Sequence, residues 1–509
     1  MRCTPTNVVA VEYKSKLIPV LGVALVGALF SAGCSRTTEN AEHGVDPAAV
    51  VEFANSLRDK VTVDAMMTHL QKLQEIADAN NGTRAIGTPG YDASVEYVAG
   101  ALREHGFDVE TPEFIARVFK SEPGSVHLGD KTVEARALMY SLGTAPEGIT
   151  GPLVAAPADD SPGCSAEDYD GLTVKDAVVL VDRGTCPFKE KMAVAVGLGA
   201  VALVVADSVD EPKMGGTLGE QTDVTVPVVS VTKADGAMLR EGHGPLTLKL
   251  DAHTDDIPSR NIIAQTKTGA ADNVVMIGAH LDSVPEGPGI NDNGSGVAAV
   301  LETALQLGES PQVNNAVRFG FWGAEELGLI GSRKYVESLD VEQLKNIAMY
   351  MNFDMLGSPN PGYFTYDGDQ SLPADKRGQP VVPEGSAGIE RTMVAYLKSA
   401  GKEARDTSFD GRSDYDGFTQ AGIPSGGLFS GAEVKKSDEE AKLWGGTADE
   451  PFDPNYHQKG DTVANIDRDE LAINGGGVPY SVGFYAQDLS GRNGVPVRDD
   501  RTRHVLTQP

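Results

Sequence analysis

The second half of the chain contains three short apolar segments, each of which ends in a histidine or in acidic residues. The segments and the residues that follow them are 274–279 with His280, 317–322 with Glu325 and Glu326, and 347–353 with Asp354. Helical stretches separate the segments, and such alternation predicts a mainly parallel sheet that is covered by helices. Because neighbouring parallel strands end at one edge of a sheet, we expect these side chains to share one crevice.

Each of these residues alone has an ordinary structural explanation. A histidine at a strand end is more often a structural residue, and two glutamates after a strand are typical of the first turn of a helix. Asp292 lies in the glycine-rich stretch 291–296 and could serve only in a turn or a cap. Together, however, carboxylates around a histidine repel one another unless a cation lies among them. The cluster therefore predicts a metal site.

The residue types narrow the choice of metal. Histidine nitrogen and carboxylate oxygen suit zinc, or manganese or cobalt, better than calcium. Two metals about 3.5–4 Å apart need a shared carboxylate, and one more histidine would complete the ligands. His457 is the candidate, with the hydroxyl group of Tyr456 beside it.

Five short motifs together resemble the co-catalytic di-zinc aminopeptidases of the bacterial leucyl aminopeptidase and glutamate carboxypeptidase II superfamily. They are HLDS at 280–283, NDNGSG at 291–296, WGAEE at 322–326, NFD at 352–354 and YH at 456–457. Residues 412–418 and 421–424 are similar to the substrate-pocket stretch of that family, and 81–84 with 87–91 resemble its opening segment. The resemblance covers about residues 50 to 490, and the whole chain looks like lipoprotein aminopeptidases of mycobacteria.

The resemblance implies two zinc ions per chain and five protein ligands. His280 and Asp354 would bind one zinc ion, and Glu326 and His457 would bind the other. Asp292 would bridge both. The implied fold is the zinc-peptidase fold, an α/β structure whose mainly parallel, mixed sheet is flanked by helices.

The resemblance also implies three catalytic side chains. Glu325 would be the general base for the metal-bridged hydroxide, Tyr456 would donate a hydrogen bond to the developing oxyanion, and Asp282 would hold the second ring nitrogen of the first histidine ligand. One feature departs from the family, because relatives often flank the Tyr-His pair with cysteines and this chain has Asn455 and Gly460 nearby.

The implied activity is removal of N-terminal, apolar, leucine-like residues from peptides with a free N-terminus. The same fold also serves carboxypeptidases, which normally need a cationic pocket, and aminoacyl cyclases; Arg412 is one of few basic residues near the motifs. A non-enzymatic binding protein with this fold is a third alternative, but it should show substituted ligands, and none is substituted. No Gly-x-Ser-x-Gly elbow supports a serine nucleophile.

The first 33 residues have the layout of an export signal. Basic residues precede an apolar run of 14 residues at 17–30, and small residues at 31–33 precede Cys34. This pattern resembles a bacterial lipobox, so we expect lipid on Cys34 and anchoring at the outer face of the bacterial cell membrane, with partial release left open. Plain secretion and an uncleaved anchor are the alternatives, although 14 residues are short for a bilayer span.

A stretch with a different residue pattern interrupts the part that resembles the peptidases. Between about 151 and 249, short β-branched runs alternate with Gly, Pro and Asp, which predicts a separate β-rich domain. The stretches 163–169 and 178–188 resemble a protease-associated domain. Cys164 and Cys186 both lie in it, so we expect a disulfide in the exported protein, with buried free thiols as the alternative.

The predicted organisation has six parts. They are a lipoprotein signal peptide at 1–33, a tether at 34–49, the first part of the peptidase domain at 50–140, the protease-associated domain at 141–255, the zinc peptidase domain at 256–490 and a surface tail at 491–509. The 43 Lys and Arg against 73 Asp and Glu give a net charge of -30, which excludes nucleic acid as a partner without a local basic patch.

Overall fold

The computed structural model describes residues 45–158, 162–209, 215–220, 222–373, 381–491 and 494–506. The predicted signal peptide, Cys34 and most of the predicted tether lie outside these residues. Among the helices of the described residues, none is long and apolar enough to cross a membrane.

The helices of the described part are α1 Pro47–Arg58, α2 Val63–Ala79, α3 Pro89–Glu104, α4 Phe188–Gly197, α5 Lys233–Arg240, α6 Gly296–Leu307, α7 Ile330–Glu337, α8 Val341–Asn346, α9 Ser386–Ser399, α10 Tyr415–Gln420, α11 Asp438–Trp444 and α12 Arg468–Gln487. The strands are β1 Val109–Glu110, β2 Glu113–Ser121, β3 Gly124–Leu128, β4 Lys131–Ala137, β5 Ile149–Ala155, β6 Val178–Asp182, β7 Ala202–Ala206, β8 Val228–Val231, β9 Pro245–Lys249, β10 Ala252–Arg260, β11 Ile262–Gln265, β12 Ala270–His280, β13 Asn315–Trp322, β14 Ile347–Phe353, β15 Phe364–Tyr366, β16 Arg405–Thr407 and β17 Ser425–Phe429.

The first helices begin where capping residues stand. Asp46 caps α1 by accepting a hydrogen bond from the amide of Ala48, and Pro47 occupies the first turn, where its missing N–H leaves no partner unsatisfied. This helix therefore starts inside the predicted tether. Thr88 and Pro89 begin α3 in the same way. In α2 and α3 the apolar residues recur at three- and four-residue spacing and are buried, so one face of each helix packs against the core.

An eight-stranded mixed sheet forms the centre of the peptidase part, in the order β1-β11-β13-β12-β14-β17-β15-β16. The central strands β13, β12, β14 and β17 run parallel to one another, as the alternating pattern predicts. In the register of these strands His280 pairs with Trp322, and Gly278 pairs with Asn352. The three apolar segments thus end at one edge of the sheet.

Seven strands form a closed barrel in the order β3-β4-β8-β7-β6-β5-β9. β3 and β4 belong to the barrel although they precede residue 141, where the predicted inserted domain starts. Their buried residues alternate with partly buried or exposed ones, so they lack the continuous apolar runs of β6, β7 and β8. A disulfide joins Cys164 to Cys186, which confirms the predicted pairing.

A two-stranded antiparallel ribbon links the barrel to the peptidase part. β2 leads out to the barrel and β10 leads back, and they pair along their whole length from Glu113 with Arg260 to Ser121 with Ala252. The chain therefore enters and leaves the barrel at neighbouring points.

The prediction of a surface tail is wrong for Arg501 and Arg503, although most of the described residues around them are exposed or partly buried. Arg501 and Arg503 are only 3% and 8% exposed. Arg501 donates to the carbonyl of Lys345 at 2.7 Å, and Arg503 donates to that of Ile347 at 3.0 Å. These carbonyls lie at the C-terminal end of α8, where backbone acceptors lack helical partners and cations are favoured.

Candidate metal centre and active site

The five predicted metal ligands lie together at the carboxyl edge of the sheet. His280 ends β12, Asp354 follows β14, Asp292 lies in the loop before α6, Glu326 follows β13, and His457 comes from the loop before α12. They are contributed by separate stretches of chain, and the edge of the parallel sheet brings all but the last together.

One carboxylate lies between the two histidines. Asp292 Oδ1 is 3.1 Å from His280 Nε2, and Asp292 Oδ2 is 3.2 Å from His457 Nε2. Asp354 Oδ1 lies 3.3 Å from the same nitrogen of His280, and Glu326 Oε2 lies 2.9 Å from that of His457. Asp292 therefore offers one oxygen to each half of the cluster.

The donor atoms fit cations. The ligand atoms of His280, Glu325 and Asp354 lie within 4.8 Å of one another, as do those of His280, Asp292 and Glu326. Within the described residues, Glu326 Oε1 and Asp354 Oδ1 are buried without a hydrogen-bond partner. Buried oxygens are rarely left unpaired, so this set of nitrogen and carboxylate donors suits a zinc site.

The protonation of the cluster reflects its burial and crowding. Burial raises the pKa of Glu326 to about 7, and Asp292 adds to that rise. Burial also raises the pKa of Glu325 well above its usual value, with a further rise from Asp354. For Asp292, burial alone would raise the pKa, but hydrogen bonds from the two histidines lower it. The cluster therefore holds protons that a metal would displace.

Asp282 contacts both the first histidine and the turn that carries the two glutamates. His280 Nδ1 lies 3.2 Å from the backbone carbonyl oxygen of Asp282, while the carboxylate oxygen Oδ1 is 3.7 Å away. That carboxylate also accepts the backbone N–H groups of Glu325 at 3.2 Å and Glu326 at 3.3 Å. Asp282 thus orients the turn that carries both glutamates, and its backbone orients the histidine ring.

A cavity of about 250 Å³ opens beside the cluster. Acidic residues of the cluster form one wall, and much of the rest is apolar. Its apolar and aromatic lining includes Met355, Phe364, Phe429, Val434 and Phe452. The cavity therefore places an apolar surface next to the metal ligands.

Tyr456 also faces this cavity. Its ring stacks on that of His457 with centroids 3.8 Å apart, and its hydroxyl oxygen lies 3.4 Å from a guanidinium nitrogen of Arg412. Burial raises its pKa, so the hydroxyl group stays protonated and can donate. Arg412 pairs in turn with Glu433 at 2.9 Å.

Two supporting residues had no predicted role. Arg84, although part of the opening motif, is fully buried and donates to the carbonyl oxygens of Leu281, Pro288 at 2.8 Å and Gly289 at 2.6 Å. Ser413 donates to Asp354 Oδ2 at 2.5 Å. The only sequence signal for them was their place in motifs that resemble the family.

Comparisons with known proteins agree with this geometry. The family model for peptidase family M28 matches residues 261–479, and that for the PA domain matches 149–239. The chain is 71% identical to the probable lipoprotein aminopeptidase LpqL of Mycobacterium tuberculosis, over 97% of this chain and 99% of that protein. It is 39% identical to leucine aminopeptidase 2 of Arthroderma otae, over 86% of this chain and 87% of that one.

Solved structures give the same result. The aminopeptidase from Aneurinibacillus sp. strain AM-1 superposes with a TM-score of 0.64 at 25% identity, over 87% of this chain and 98% of that one. The zinc aminopeptidase BSAP from Bacillus subtilis superposes with a TM-score of 0.54 at 26% identity, over 86% and 98%.

Proposed function

This chain belongs to peptidase family M28 and carries a PA domain, and from that premise we propose how its own residues make it a zinc-dependent aminopeptidase. The observation that carries the proposal is the position of Asp292, whose two carboxylate oxygens each face a different histidine. A carboxylate so placed suits a pair of metal ions that share a ligand.

The proposed centre holds two zinc ions. His280 and Asp354 would hold one, Glu326 and His457 the other, and Asp292 would be shared. Zinc bound there supplies a Lewis acid that polarises the scissile carbonyl and lowers the pKa of water.

Glu325 is the proposed general base. Its raised pKa suits a group that accepts a proton from the attacking water and returns it to the leaving amine near neutral pH. Tyr456 would donate a hydrogen bond to the carbonyl oxygen as negative charge develops on that oxygen. Asp282 supports this arrangement by holding the backbone of the turn on which Glu325 lies.

The substrate would be a peptide with a free N-terminus. We propose that the α-amine lies against the carboxylates of Glu325 and Asp354, with the first side chain in the neighbouring apolar cavity. That lining favours leucine-like residues, because burial of apolar surface stabilises binding by about 25 cal/mol per Å². The net charge of -30 also favours a cationic terminus over an anionic one.

A panel of matched substrates tests this proposal. Leucine anilide and leucine-initiated peptides should be cleaved from the N-terminus, their N-acetylated forms should be nearly inert, and chelation should abolish cleavage until zinc returns. Release of a C-terminal residue from an N-blocked peptide would replace this function with that of a carboxypeptidase. Zinc binding without cleavage of any substrate would support a binding protein.

We also propose that the mature enzyme begins at a lipidated Cys34 and is anchored at the outer face of the cell membrane. The support is the export-signal pattern at 1–33 and the lipoprotein name of the Mycobacterium tuberculosis relative. Mass spectrometry of the mature N-terminus is the test. An N-terminal residue other than a lipidated Cys34 would contradict the proposal.

A further inference from the structure

The loop that carries His457 needs support from its flanks. His457 has a left-handed backbone conformation with φ of 55°, and its side chain is 39% exposed. A residue other than glycine keeps such a conformation only where the surroundings fix it. The buried residues nearest to it along the chain are Asp453, four positions before, and Asp461, four positions after.

Asp453, before the histidine, ties three stretches of chain together. Its carboxylate accepts hydrogen bonds from the Asn291 side chain at 2.7 Å and from the backbone N–H of Asn455 at 2.8 Å. The Asn465 side chain donates to both of its oxygens at 3.0 Å. One carboxylate, 1% exposed, thus joins the two ends of the His457 loop to the residue before Asp292.

Asp461, after the histidine, holds the Asp292 loop directly. Its Oδ1 accepts the backbone N–H of Asn291 at 2.8 Å, and its Oδ2 accepts that of Asp292 at 3.0 Å. The backbone carbonyl of Asp461 also accepts the N–H of Ile290 at 3.2 Å. The residue is 2% exposed, so these bonds do not compete with water.

Side-chain hydrogen bonds, and not a covalent bond, hold the residues on the two sides of His457 together. Asn455 donates to Asn465 at 2.6 Å. A Cβ atom placed on Gly460 would lie 3.6 Å from the Cβ of Asn455 and 2.2 Å from its Oδ1. The first distance is within the range of about 3.5–4.5 Å that a disulfide requires. Asn455 and Gly460 thus occupy positions that a disulfide could join.

We propose that buried carboxylates and amides form a clamp that holds the bridging aspartate and the second histidine ligand in register, in place of a disulfide. The clamp consists of Asn291, Asp453, Asn455, Asp461 and Asn465. These residues are positioning residues, since Asp461 holds the backbone N–H of Asp292 and the others bond to one another and to the ends of the loop that carries His457. The inference rests on the proposed ligand set. It assigns to the clamp the task of keeping the second zinc bound, that is, the zinc ion that Glu326 and His457 would hold.

Asp461→Asn is the direct test. The amide keeps the size of the carboxylate but offers one acceptor oxygen, and its NH₂ group would oppose one of the two backbone N–H groups. Supporting residues of this kind cost about 10–100-fold in metal affinity when changed. We therefore expect the dissociation constant of the second zinc to rise by that factor. Competition with a fluorescent chelator measures it.

Asp367→Asn is the matched control. Asp367 is also buried, and its two oxygens accept the backbone N–H groups of Ser371 at 2.8 Å and Leu372 at 3.0 Å. This variant should lose stability without a change in zinc affinity. Asn465→Ala is the second variant if Asp461→Asn does not fold, and it should weaken the second zinc in the same direction but less.

A rescue separates the clamp from general stability. Asn455→Cys with Gly460→Cys, added to Asp461→Asn, should restore tight binding of the second zinc when oxidised and not when reduced. Equal zinc affinity in Asp461→Asn and the natural chain would overturn the clamp alone. Oxidation that raises the melting temperature without restoring zinc affinity would also overturn it. A natural chain that binds no zinc would overturn the ligand set and the clamp together.

Discussion

Glu325 and Glu326 are neighbours in sequence but meet different surroundings. Glu326 Oε2 lies 2.9 Å from His457 Nε2, whereas the nearest oxygen of Glu325 lies 3.9 Å from His280 Nε2. Glu325 also lines the cavity that would hold the substrate. The first position suits a metal ligand, and the second suits a base that reaches the substrate.

Exchange of each glutamate for glutamine should therefore have different effects. Glu325→Gln should lower turnover by about 10²–10⁴-fold, the usual contribution of general base catalysis, with the zinc content unchanged. Glu326→Gln should instead lose zinc. Metal analysis of both purified variants, together with leucine anilide kinetics, makes the comparison. Loss of zinc from Glu325→Gln to the same extent would reverse the two assignments.

Arg84 stabilises the loop between the first histidine ligand and Asp292 through three carbonyl acceptors. Arg84→Met should lower the free energy of unfolding by at least about 3 kcal/mol, because several buried acceptors lose their partner. Arg84→Lys should lower it less, since it keeps the charge but not the planar set of donors. Urea unfolding of the metal-free proteins measures both. A loss of less than about 1 kcal/mol, the net value of a single hydrogen bond, would contradict this role.

At the scale of elements, α8 depends on the C-terminal segment. Arg503→Ala removes donors to the carbonyls of Gly422 at 2.6 Å and Ile347 at 3.0 Å, so it should lower the free energy of unfolding by about 2–3 kcal/mol. Arg498→Ala is the control, because Arg498 bonds to side chains of α8, Glu342 at 2.9 Å and Asn346 at 3.0 Å, and not to buried carbonyls; ion pairs near the surface contribute at most about 1 kcal/mol. Thermal or urea unfolding measures both variants. Equal losses of unfolding free energy in the two would show that the segment is only a surface tail.

Strand ends could be predicted because their signal is local. His280 and Asp354 each follow an apolar run directly, and the parallel arrangement of these runs puts both at one edge. His457 follows no strand, so its place in the site was predicted from family resemblance. The structure brings these predicted residues together, and their role as metal ligands stays a proposal.

Contacts to backbone atoms left no such signal. Asp461 holds the N–H of Asp292 from 169 positions away, and Arg503 holds carbonyls near α8 from 155 to 159 positions away. Every residue has a backbone carbonyl and every residue except proline has a backbone N–H group, so these partners cannot be recognised by residue type. The sequence signal of β3 and β4 is also weak, because only every second residue is buried in most of each strand.

At the scale of the whole molecule, the pH of the solution should govern how tightly the protein binds the second zinc. Zinc needs unprotonated ligands. In the metal-free protein the pKa of His457 is raised to about 10: burial alone would lower it, but hydrogen bonds to Asp292 and Glu326 outweigh burial. The pKa of Glu326 is raised to about 7, mainly by burial. Between pH 7 and 10, zinc binding must displace the proton of His457. Below pH 7, it must displace the proton of Glu326 as well.

Zinc affinity should therefore rise with pH throughout, and more steeply below pH 7. Chelator competition at a series of pH values gives the slope, and calorimetry in buffers of different ionisation enthalpy counts the protons released. The Asp367→Asn control should follow the same curve as the natural chain. A zinc affinity that does not change between pH 6 and 8 would contradict the protonated state of the metal-free cluster.

The paired strands β2 and β10 bear on how such a protein could arise. Ser121 and Ala252, the last pair of the ribbon, face each other, and directly opposite residues of an antiparallel pair are about 4.5–5.5 Å apart. A two-residue hairpin turn can span that gap. The barrel could thus be replaced by one tight turn without a change in the spacing of the two strands that lead to the peptidase sheet. A module mounted in this way can be gained, exchanged or lost in evolution while the strands that bear the zinc ligands keep their register.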